Sequence, residues 1–349
     1  MTAQASTPRS PSRRRGPAPK TLLNRDLKAA GLKPPEVRKR LPFGWEQTLQ
    51  EDGGLLEIRA FVAKHFGLRL TPEGGLAPRP DDRVRFKSTA GIEPGALDAA
   101  RAAAVAVARL VAAATVPQWT GTLPNAAAMR RAILDEGRPW VGFEDLVAAC
   151  WQHGVPVVYL PELPVGGRKM DGLVTEVDGR PVIVIAKKLA GHPAWGSFIL
   201  GHEMGHIALG HLETAGDDTI VDGDLDTLSE DPVEVVANAF AVELLTGAQD
   251  RRYRSAYPAR ADRLAKEARA TGQRDRVDPG HVVLNWTREM VRRDRQNYWP
   301  LANKALAAIG TASSVATLCR SALEANLDLD RLPDDSVDFL AASGVIADA

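Results

Sequence analysis

Residues 198–211 read FILGHEMGHIALGH, a stretch that contains the pattern His-Glu-x-x-His. On an α-helix, residues four apart lie about 40° apart around the axis, so His202 and His206 can direct two imidazole nitrogens at one metal ion. Glu203 stands beside them, where a carboxylate can accept the proton of a metal-activated water. The apolar residues around the pattern predict a buried helix. The stretch therefore predicts a metal centre, against the alternative of two histidines in a helix without a metal.

A catalytic zinc site needs a third protein ligand and an open position. The extended form of this pattern, which would have glycine at position 209 and a third histidine at position 212, is absent, because leucine stands at both positions. His211 lies about 140° around the helix from His206, which argues against it as a direct ligand. We therefore treat His211 as a candidate for supporting the metal ligands.

The third ligand is predicted on a second helix. Asp231 and Pro232 have the residue types of an N-cap and a first helical turn, and Glu234 and Asn238 then share one helix face. Glu234 is the predicted metal ligand, and Asn238 is a candidate for orienting a ligand from behind. The alternative is that Glu234 completes a capping box with Asp231 and binds no metal.

Three segments resemble the ImmA/IrrE family of zinc metallo-endopeptidases from bacteria and phages. They are the HEMGH motif with its trailing Gly-His (202–211), the segment EVVANAFAVELL (234–245) and the residues of a predicted hairpin (170–185), within about residues 140–250. The resemblance implies a zincin-like fold with Zn²⁺ held by His202, His206 and Glu234, and with Glu203 as general base. It also implies a protein substrate, often a DNA-binding repressor whose cleavage derepresses stress, mobile-element or toxin–antitoxin genes. Thr246-Gly247 replaces the usual Met-Pro of the family.

The predicted fold class is α+β, with a zincin-like core of a small β-sheet and the HExxH helix between mainly helical N- and C-terminal regions. Alanine is abundant, and aromatic residues make up only 5% of the 349 residues, which favours helices. The predicted divisions are a disordered basic tail (1–19), a helical module with the outline of a degenerate helix-turn-helix (20–70), a linker (71–95), the zincin-like domain (96–250) and a C-terminal helical region (251–349).

A β-hairpin is predicted directly before the metal-binding helix. A short apolar strand at 155–160 is followed by strands at 170–177 and 181–186, which Asp178-Gly179 joins as a tight turn. In zinc peptidases a strand borders the substrate cleft, and an edge strand there could pair with an extended peptide.

Charge and composition limit the setting and the partners. The formal net charge is zero, but residues 1–40 carry eleven basic residues and two acidic ones. Two interpretations of this basic region stay open: residues 1–70 contact DNA, or the basic tail is only solvated. The longest apolar run, 102–116, is interrupted by Arg109 and predicts no membrane segment. Two distant cysteines, Cys150 and Cys319, and no secretory signal predict a cytoplasmic protein.

The acidic stretch 217–231 does not have the pattern of a calcium-binding loop. A loop starting at Asp222 would need glycine at its sixth position and glutamate at its twelfth, where Thr227 and Val233 stand. We therefore predict a solvated loop there.

The preferred hypothesis is a zinc endopeptidase that cleaves a protein partner, a transcriptional repressor or antitoxin-type regulator. The alternative is a metal-dependent DNA-binding or sensory regulator without proteolysis, and a third is an antitoxin-like interaction module with a vestigial site. Intact Glu203 favours the peptidase, because sensing needs no general base. His211 and Tyr159 are candidates for stabilising an oxyanion.

Overall fold

The computed structural model describes residues 17–79, 94–165, 170–189, 192–214, 219–222, 231–254, 260–311 and 313–347. In this part of the chain the protein is α+β and mostly helical, as predicted. The helices are α1 Pro19–Ala29, α2 Pro34–Arg38, α3 Trp45–Thr48, α4 Gly54–His65, α5 Pro94–Ala114, α6 Ala126–Asp135, α7 Phe143–Gln152, α8 Ala194–Ala208, α9 His211–Thr214, α10 Pro232–Thr246, α11 Ala261–Asp275, α12 Pro279–Asp294, α13 Trp299–Ile309, α14 Val315–Asn326 and α15 Asp334–Ala342. The strands are β1 Leu68–Leu70, β2 Leu76–Pro78, β3 Val157–Tyr159, β4 Gly172–Val177, β5 Arg180–Ile185 and β6 Thr219–Asp222.

The larger sheet has the strand order β3-β5-β4-β6. Strands β3 and β5 are parallel, whereas β4 runs antiparallel to both β5 and β6. The β4–β5 hairpin is confirmed, and its two turn residues have positive φ, 50° at Asp178 and 76° at Gly179. Two successive residues with positive φ match the twist of the strands they join, which is why Asp-Gly is a strong hairpin signal.

Neither hairpin strand is an edge strand, so that part of the prediction is wrong. Strand β6 pairs with the outer side of β4 from Thr175↔Thr219 to Gly172↔Asp222. The sequence gives little warning, because a strand of four residues is too short to show alternation. Apart from β6 and Asp231, the acidic stretch 217–231 lies outside the described residues.

The N-terminal helices follow the predicted outline. Helix α1 ends before Gly31, which has φ 76°, and Pro34 opens α2. The linker prediction needs correction, because β2 lies inside 71–95 and pairs with β1. The short strands are joined by a turn at Gly74, which has φ 76°, and such a turn resembles linker sequence. Residues 1–16 of the tail and 80–93 of the linker lie outside the described residues.

The described helices pack into two hydrophobic cores. The larger core is formed by the helices α1 through α8, by α10 and by the central strands. It also includes residues of α14 and α15. The smaller core is built by α11, α12 and α13, with Ala194 at the start of α8. Helix α8 thus lies against the sheet, against α10 and against α12. Among the described residues, no helix has the length and apolar character needed to cross a bilayer.

Candidate metal centre

Helices α8 and α10 pack closely side by side, and this contact brings the predicted ligands together. A Cβ atom built on Gly205 would lie 3.2 Å from the Ala237 carbonyl oxygen, and one on Gly201 would lie 3.5 Å from the Ala241 Cβ. The absence of a side chain at 205 therefore lets the two helix backbones approach. Helix α10 begins as predicted, with the Asp231 side chain accepting a hydrogen bond from the Val233 N–H and Pro232 in the first turn.

His202, His206 and Glu234 meet in the angle between these helices. The His202 Nε2 atom lies 3.3 Å from Glu234 Oε2, and the His206 Nε2 atom lies 3.7 Å from Glu234 Oε1. The two Nε2 atoms are 2.9 Å apart. One ligand atom from each residue lies within 4.8 Å of the others. The Glu234 carboxylate thus faces the two imidazole rings. This orientation favours a role for Glu234 as a metal ligand over the alternative role in a helix capping box.

The three residues fit a divalent metal ion by their chemistry. Both histidines are fully buried, and Glu234 is partly exposed, so an ion held there keeps access to solvent. Burial, reinforced by the neighbouring His202 and His211, lowers the pKa of His206 to about 2. The neutral imidazole is the form that binds a metal. Two imidazole nitrogens and one carboxylate form a donor set typical of catalytic zinc.

The far nitrogen of each histidine has a partner of its own. Asn238 Oδ1 lies 3.2 Å from His202 Nδ1, and His211 Nδ1 lies 2.9 Å from His206 Nδ1. If each ligand histidine donates its Nδ1–H to these acceptors, its Nε2 lone pair is directed at the metal position. Asn238 and His211 therefore each contact the ring nitrogen that a candidate ligand histidine turns away from Glu234.

Glu203 is fully buried and lies on the side of α8 that faces strand β4. A Cβ atom on Gly172 would stand 2.5 Å from Glu203 Oε1, so the carboxylate occupies space that only glycine leaves open. Sequence reasoning assigned no role to Gly172. The available signal was a glycine at the start of a strand, which often marks the close approach of another group.

The two oxyanion candidates, Tyr159 and His211, each have a hydrogen-bond partner within the protein. The Tyr159 hydroxyl accepts a hydrogen bond of 3.0 Å from the Leu189 N–H and so fixes the segment after β5. Burial raises the pKa of this hydroxyl. His211 Nδ1 lies against His206 Nδ1.

Comparison with known proteins adds no relative. No protein-family model matches the chain, and a search of curated proteins finds no match.

Proposed function

We propose that the chain is a zinc-dependent endopeptidase with a zincin-like core, of the ImmA/IrrE kind. The observation that carries the proposal is the meeting of His202, His206 and Glu234 within 4.8 Å, beside a buried glutamate on the same helix. Two histidines and a glutamate leave a fourth zinc position open for water and substrate. The motif segments that resemble this family supply the same assignment of roles.

The chemistry follows from the position of Glu203. Zinc bound at this site would supply a Lewis acid that polarises the scissile carbonyl and lowers the pKa of the attacking water. Glu203 accepts the proton of that water and delivers it to the leaving amine. Burial beside Gly172 holds its carboxylate in one place, so the proton acceptor needs no reorganisation during the reaction.

The surroundings of Glu234 suit a peptide substrate. Val233, Val235 and Val236 on the first turns of α10 are three of the exposed large apolar side chains of the described residues. An exposed apolar rim beside a metal site favours the binding of a partner's apolar side chains. We propose a regulatory protein, a repressor or antitoxin, as the substrate, and this part rests on the family resemblance.

The rival function is metal-dependent sensing without cleavage. Sensing needs the three ligands but has no use for a buried carboxylate that binds no metal. Burying a carboxylate costs free energy, so its presence beside the ligands favours a catalytic use.

Glu203→Gln tests the choice between these functions. The variant keeps the three ligands, so we expect its zinc content to equal that of wild type. Loss of a positioned base costs about 10²–10⁴ in rate, so new N-termini in a co-expressed candidate regulator should nearly vanish when mapped by mass spectrometry. Glu57→Gln, an exposed change on α4, is the matched control and should cleave normally. Equal derepression by wild type and Glu203→Gln with the regulator intact would favour the sensor.

A further inference from the structure

The segment Ala248–Arg254 and helix α12 form a strongly basic surface that the peptidase proposal does not use. Together with Arg295, the residue that follows α12, they contain seven arginines, no lysine and three acidic residues, a net charge of +4 in a chain whose formal net charge is zero. Four of the arginines lie in the last two turns of α12 and just beyond it, and the other three follow α10.

The backbone of this segment is fixed on α12. Asn285 of α12 accepts a hydrogen bond of 2.9 Å from the Tyr253 N–H through its Oδ1 atom. Its Nδ2 atom donates another, also 2.9 Å long, to the Arg251 carbonyl. One asparagine thus satisfies a donor and an acceptor of the segment, and the arginines it carries have a defined position.

A nearly buried carboxylate also gathers several guanidinium groups. Glu289, whose side chain is only 7% exposed, accepts hydrogen bonds of 2.9 Å from both Arg254 and Arg292. Arg252 lies 4.0 Å from the same carboxylate. All three arginine side chains remain between 39% and 59% exposed, so the Glu289 carboxylate lies inside and the three guanidinium groups that surround it lie outside.

The surface has the composition of a phosphate-binding face. Ala248, Asp250, Arg251, Arg252 and Arg254 line an open depression of about 490 Å³. None of the exposed large apolar side chains found in the described residues belongs to it. Protein–protein interfaces have an apolar centre, whereas protein–DNA interfaces are more polar and much more positive. Arginine forks also match phosphate oxygens in pairs.

We propose that this surface, Ala248–Arg254 with the C-terminal half of α12, binds the phosphate backbone of duplex DNA without reading its sequence. Such contact is electrostatic and releases counterions, so each phosphate contact adds about 0.9 to the slope of log affinity against log salt. The inference is independent of proteolysis, because none of these residues belongs to the metal centre.

The test is fluorescence anisotropy of the full chain with a labelled duplex of about 20 base pairs, at several salt concentrations. Arg251→Gln combined with Arg252→Gln removes two exposed charges of the surface. We expect about tenfold weaker binding at low salt and a salt slope lower by about two. Arg109→Gln combined with Arg131→Gln removes two exposed charges on α5 and α6, and should leave both quantities unchanged.

Three results would overturn the proposal. The first is an unchanged affinity and salt slope for the Arg251 and Arg252 double variant. The second is an equal loss in the control pair, which would show that only total charge matters. The third is a double variant that loses binding to a polyglutamate peptide but keeps its DNA affinity, which would assign the surface to an acidic protein. All variants retain the basic N-terminal residues, so the differences between them report on this surface.

Discussion

At the scale of single residues, the two candidate histidine ligands are each contacted on the far ring nitrogen by a group of a different kind. His202 has an amide partner in Asn238, and His206 has an imidazole partner in His211. An amide oxygen can only accept the proton of His202 Nδ1, so it fixes the tautomer that leaves Nε2 available to a metal.

Asn238→Leu should therefore weaken zinc binding by about 10- to 100-fold without removing a ligand. Competition with a chelator of known affinity measures the change. Asn238→Asp is the matched control, because its carboxylate still accepts from Nδ1 and should keep affinity near that of wild type. Wild-type affinity in the leucine variant would show that Asn238 does not position His202.

Sequence reasoning found the residues whose chemistry shows in their spacing. His202, His206 and Glu203 follow from helical geometry, and Asp231 and Pro232 mark the start of the helix that carries Glu234. Gly172 was missed because its role depends on a strand and a helix that meet only in the folded chain. No local pattern distinguishes a glycine that admits a neighbouring carboxylate from one that ends a loop.

At the scale of elements, the site depends on how closely α8 and α10 approach. The two glycines of α8 that face α10 are not equivalent, because the position at Gly205 is tight against backbone atoms of α10 and that at Gly201 is ordinary van der Waals contact. Local sequence does not distinguish the two positions, because both are glycines on one helix.

Gly201→Ala and Gly205→Ala form a matched pair for this contact. Both changes gain about 1 kcal/mol of helix propensity. At position 205 the added methyl group must push α10 away by a few tenths of an ångström, so we expect several-fold weaker zinc binding in Gly205→Ala. We expect Gly201→Ala to keep wild-type zinc affinity and to gain stability. Thermal unfolding and chelator competition measure the two effects. Equal zinc affinity in both variants would mean that the helix spacing does not control the site.

Several of the short elements could not be predicted from the sequence. The start of the long helix α10 was predicted at Asp231 and Pro232, because the residue types of an N-cap and a first helical turn mark it. Strands β2 and β6 and helix α3 have three or four residues each, too few to show a period. The pairing of β6 with β4 moreover joins segments more than 40 residues apart, a contact that local sequence does not encode.

At the scale of the whole molecule, the C-terminal helices do not all stay together. Helices α11 to α13 build the smaller core, while α14 and α15 return to the larger one, where Phe339 packs edge-on against Phe66 at 5.3 Å. The boundary at residue 251 stays a prediction. The return of α14 and α15 could not be predicted, because amphipathic helices indicate which face is buried but not the partner that buries it.

His202, His206 and Glu234 are proposed to hold one metal ion between helices α8 and α10. Zinc analysis of the purified full chain, with X-ray absorption spectroscopy of the bound metal, tests it most directly. We expect about one zinc per chain with two imidazole ligands, near-complete loss in His206→Ala, and no loss in His153→Ala, a matched change of a partly exposed histidine at the end of α7. Undiminished zinc in His206→Ala would contradict the account.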